Sequence, residues 1–71
     1  MIEPWGKAAE CKRAIEACDD PERKQVLKNL RMLWVALAAQ KATGASDWNV
    51  HAEQAHTLHV EIVSSLPHTK V

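Results

Sequence analysis

Apolar residues recur at intervals of three and four through most of this chain, the spacing that gathers side chains on one face of an α-helix. Between residues 4 and 18 the stripe is Ala8, Cys11, Ile15 and Cys18, with Trp5 at its edge. Between 21 and 42 it broadens to Val26, Leu27, Leu30, Leu33, Trp34 and Leu37, the pattern of a core helix. Between 47 and 65 it collects Trp48, Ala52, Ala55, His59, Ile62 and Val63, with His51, His56 and Leu58 toward the flanks. β-branched residues never alternate with polar ones over a strand's length, so no strand is predicted.

The boundaries of these segments carry their own chemistry. Pro4 and Pro21 suit a first helical position, where a missing N–H costs nothing. Asp20 can accept from a free N–H of the turn that follows, and Glu22 favours the positive end of the helix dipole. Gly44 can take the left-handed conformation that closes a helix, Ser46 or Asp47 can cap the next, and Pro67 ends it. The expectation is one small all-α domain over residues 1–71: three helices at about 4–18, 21–42 and 47–65, and a polar tail at 66–71. Short connections predict an up-down arrangement, a helical hairpin plus a third helix, with the second helix central.

That second helix has one apolar face too many. In "LRMLWVALAAQ" the residues Met32, Val35 and Ala39 fall opposite the core stripe, with Ala36 near its edge. The run is too short to span a bilayer, which needs about 20 mainly apolar residues, and Arg31 interrupts it. A chain of 71 residues also sits near the size at which one core gives only about 3–5 kcal/mol without reinforcement. Single exposed apolar residues are ordinary and alanine is tolerated anywhere in a helix, but together the two observations favour a second copy: Met32, Val35, Ala36 and Ala39 are the predicted interface, and homodimerisation is expected to complete the fold.

Composition narrows the classes without choosing one. Nine basic and nine acidic residues cancel, which removes the basic footprint of a nucleic-acid binder; Arg23, Lys24, Lys28 and Arg31 on the second helix are the one local exception. Cys11 and Cys18 lie seven residues apart on one helix, about 10 Å by the helical rise and beyond disulfide reach. The start "MIEPWGKAAECKR" is charged from residue 3 and has no signal-peptide or lipidation pattern, so a reducing, cytoplasmic setting is expected.

Candidate chemistry concentrates in "HAEQAHTLH". Glu53 and His56 have the Glu-x-x-His spacing that di-iron bundles use, but Glu53 points about 130° away from the core side of its helix. His59, in the middle of the apolar face, reads as a neutral, hydrogen-bonded core or interface histidine. The functional alternative is a metal-binding or Cys/His-dependent site drawn from His56, His59, Glu53, Cys11 and Cys18. The cysteines read first as small buried hydrophobes, the three tryptophans as fillers of one common core, and Glu10, Lys12, Arg13 and Glu16 as a solvated face. No catalytic residue and no cofactor is expected.

The segments "PWGKAAECKRA", "DDPERKQVL" and "LRMLWVALA" resemble a loose group of short, uncharacterised helical proteins found mainly in alphaproteobacteria. The likeness covers about residues 4 to 39. It implies a bacterial, cytoplasmic helical hairpin and brings no activity, and the histidine-rich third helix lies outside it. The resulting expectation is a non-enzymatic protein that acts through self-association and contacts with another protein.

Overall fold

In the computed structural model, which describes residues 2–65, three helices follow in order: α1 (Pro4–Ala17), α2 (Pro21–Thr43) and α3 (Trp48–Ser65). Among the described residues there is no strand. The expected tail at 66–71, and Pro67 with it, lie outside the described residues.

The caps explain why the chain breaks where it does. The Glu3 carboxylate accepts from the Trp5 N–H at 3.1 Å, and Pro4 opens α1. Cys18 turns extended and closes α1 by donating its N–H to the Ile15 carbonyl at 3.2 Å. Two residues later Asp20 Oδ1 accepts from the Glu22 N–H at 3.1 Å, again with proline at the next position. Gly44, with φ 75° and ψ 32°, ends α2 in the left-handed region that a residue without Cβ adopts at no steric cost. At the start of α3 the Asp47 backbone carbonyl accepts from Val50 and His51, while its carboxylate lies 3.6 Å from the His51 ring.

α2 packs against both α1 and α3. Its buried residues are Leu27, Leu30, Trp34, Leu37 and Ala38, an arc of about 100° on the helical wheel. Ala8 and Cys11 come onto this arc from α1, and Trp48, Ala52 and Ala55 from α3. Small side chains on the outer helices let them approach a central helix that carries the bulk. Trp48 fixes the α2–α3 corner by donating its indole N–H to the Leu37 carbonyl, and Lys41 lies over its ring at 5.1 Å.

The structure corrects four core assignments. Val26 and Leu33 are exposed because they fall just beyond the Leu37 edge of the buried arc, where neither neighbour reaches. Val63 is exposed on the flank of α3, and Trp5 is 61% exposed. Trp5 lies about 100° round α1 from the side that meets α2, so two tryptophans, not three, share the core. Among the described residues no helix is long and apolar enough to cross a membrane.

Candidate functional site

His59 is where the three helices meet. The stripe that buries Ala52 and Ala55 carries it inward one and two turns later, leaving it 3% exposed. From α2, the Trp34 indole N–H donates to its Nδ1 at 3.0 Å. From α1, Glu10 Oε1 lies 3.1 Å from its Nε2, and Cys11 Sγ lies 3.8 Å from Nδ1. The Trp34 and His59 rings meet edge to face, with centroids 5.8 Å apart.

These partners fix the proton. An indole N–H can only donate, so Nδ1 must present its lone pair and the ring proton must sit on Nε2. There it faces a carboxylate, and Nε2–H donates to Glu10. Glu10 is held in turn by Lys7, whose Nζ is 3.8 Å from Oε2. The Cys11 thiol, 0% exposed, lies 3.8 Å from Nδ1, whose lone pair Trp34 already engages.

Electrostatics support the neutral pair. Burial pushes the His59 pKa below its ordinary 6.5 against the opposing pull of Glu10, with Lys7 and His56 adding smaller downward contributions. Burial, followed by the charge of Glu10, raises the Cys11 thiol above its ordinary 9.0; Arg31 and Lys7 oppose this. A nucleophilic cysteine needs the reverse, a lowered thiol pKa and a path to solvent. The contact therefore consists of a thiol and a neutral imidazole. A cleft of about 570 Å³ beside Lys7, Trp48 and His56 is lined by neither Cys11 nor His59.

The remaining candidates lie apart from this cluster. Cys18 is half-buried at the end of α1, its Sγ donating to the Asp20 carbonyl at 3.6 Å. Glu53 is exposed, and His56 is half-buried with an Nδ1 that has no hydrogen-bond partner. His51 is exposed beside Asp47. Among the described residues no group of three or more His, Cys, Asp or Glu side chains is placed to hold a metal ion. Met32, Val35, Ala36 and Ala39 all face solvent, Met32 at 68% exposure. Sequence reasoning found His59 and Cys11 and placed Glu10 on a solvated face, where it is indeed exposed, but missed its contact with His59. Only its position next to Cys11 hinted that its carboxylate could reach inward.

Compared with models of protein families, with curated proteins and with solved structures, the chain has no match in any of the three.

Proposed function

We propose that this chain is a non-enzymatic helical protein that works through self-association, pairing α2 with α2 of a second copy. The observation that carries the reading is the outer face of α2. Gln25, Asn29, Met32, Ala36, Ala39 and Thr43 follow one another at alternating steps of four and three, and all are exposed. That spacing is the seam of a helix pair. The positions beside it, Val26, Leu33 and Gln40 on one edge and Lys28, Val35 and Ala42 on the other, are exposed as well. Lys28 is the one charge among the twelve.

The details suit a helix partner. Ala36 and Ala39 at the middle of the seam let two backbones approach, while Met32 and Val35 supply the apolar area. Gln25 donates to Asn29 at 3.1 Å at one end of the seam, and polar residues at such positions set register at some cost in stability. A two-fold pair presents the same face from both copies and so closes on itself. The setting proposed for it is the bacterial cytoplasm.

The metal-binding or Cys/His-dependent alternative draws on the nearness of Cys11 and His59. It requires displacing the Trp34 N–H from Nδ1 and opening a sealed contact, and self-association requires neither. Sedimentation equilibrium decides the main reading. The wild type is expected to be a dimer at tens of micromolar, and Met32→Glu with Val35→Lys a folded monomer by circular dichroism. A wild type that stays monomeric at several hundred micromolar overturns the proposal and leaves the face to a different protein.

A further inference from the structure

We propose that His59 is an acid-sensitive latch, a single imidazole whose neutral form ties α3 to both α1 and α2 and whose protonation loosens the fold. The argument rests on a conflict of donors. Nδ1 offers one lone pair, and it faces the Trp34 indole N–H at 3.0 Å and the Cys11 thiol at 3.8 Å. A proton added at Nδ1 would point an N–H at another N–H inside a site that is 3% exposed. Indole has no lone pair to offer in exchange, so the Trp34 contact must break.

Charges facing the ring come from two helices and partly cancel. From α1, Glu10 accepts from Nε2 and favours the cation; its other oxygen is shared with Lys7, which disfavours it. From α3, His56 disfavours it as well. From α2, Trp34 contributes no charge, and Arg31 acts on Cys11. Glu10 therefore holds the proton already on Nε2 without making room for a second.

The direction of the pH effect follows by linkage. With the folded pKa below the unfolded 6.5, the unfolded chain binds the proton more readily. The stabilisation is complete above pH 6.5 and is lost as the pH falls from there through the folded value. The latch does not depend on α2 pairing with a second copy, since every group in it belongs to one chain.

Thermal unfolding at fixed protein concentration tests it, followed between pH 7.5 and 5 for the wild type, His59→Gln, and His51→Gln with His56→Gln. The wild-type midpoint should fall by about 4 °C or more across this range, the double variant should follow it, and His59→Gln, whose amide can accept and donate without titrating, should stay nearly flat. If His59→Gln loses stability with acid as the wild type does, or the wild type is flat, the latch is wrong. Should His59→Gln fail to fold, nitrogen NMR of the wild-type imidazole decides. A ring protonated on Nε2 alone at pH 7, and still neutral in the folded form below pH 6.5, supports the proposal. A His59 that titrates at or above 6.5 within the intact fold overturns it.

Discussion

The single lone pair on Nδ1 of His59 accepts an indole N–H, and the only other group the structure places against that nitrogen is the Cys11 thiol. The two cysteines of the chain consequently differ. Cys11 is sealed between α1, Trp34 and His59 with its thiol held neutral, whereas Cys18 is half-buried at a helix end. A thiol reagent such as Ellman's should titrate one sulfur in the native protein, removed by Cys18→Ser, and a second only in denaturant. Rapid native labelling of both would contradict the burial of Cys11. At high pH the same thiol becomes a weakness: its folded pKa lies above 9.0, so its contribution is complete below pH 9 and is lost as the pH rises through the folded value. The sequence disclosed that His59 lies on an apolar stripe and is held neutral by a partner. Its partners stayed hidden because they lie 49, 48 and 25 residues away, and helical periodicity says which face is inward without saying which neighbour it meets.

Helix ends were legible because capping is local. Asp20 before Pro21, and Gly44 after a long apolar run, act through atoms within four residues of themselves. Asp20→Ala should cost about 1 kcal/mol of stability by loss of the cap. Gly44→Ala should cost about 1 kcal/mol through its positive φ alone, since beyond its chain neighbours no described atom lies within 4 Å of the position a Cβ would take. Urea denaturation of both variants checks these values, and an unchanged midpoint for Gly44→Ala would contradict the left-handed turn. Helix faces were less legible than helix ends. Val26 and Leu33 share the spacing of the core stripe, yet the width of the buried arc depends on how much of α2 its two neighbours cover. The same two residues broaden the outer surface on which the proposed pairing rests.

For the molecule as a whole, α1 and α2 are joined by residues 18–20 and α3 follows after residues 44–47. Either junction closes at low entropic cost. The contacts between His59 and α1 instead span 48 and 49 residues, and loop closure over such a span adds an ordering cost that nearby contacts avoid. Time therefore enters: the hairpin can form from neighbouring contacts, and the three-way junction is expected to be made last and broken first. Truncating Leu30, in the hairpin, should slow refolding, whereas His59→Gln should act mainly by speeding unfolding. Stopped-flow measurements across a urea series separate the two arms, and a His59 variant that slows refolding as much as Leu30→Ala would reverse this order. One buried imidazole then governs how long a folded molecule persists more than how fast it is made.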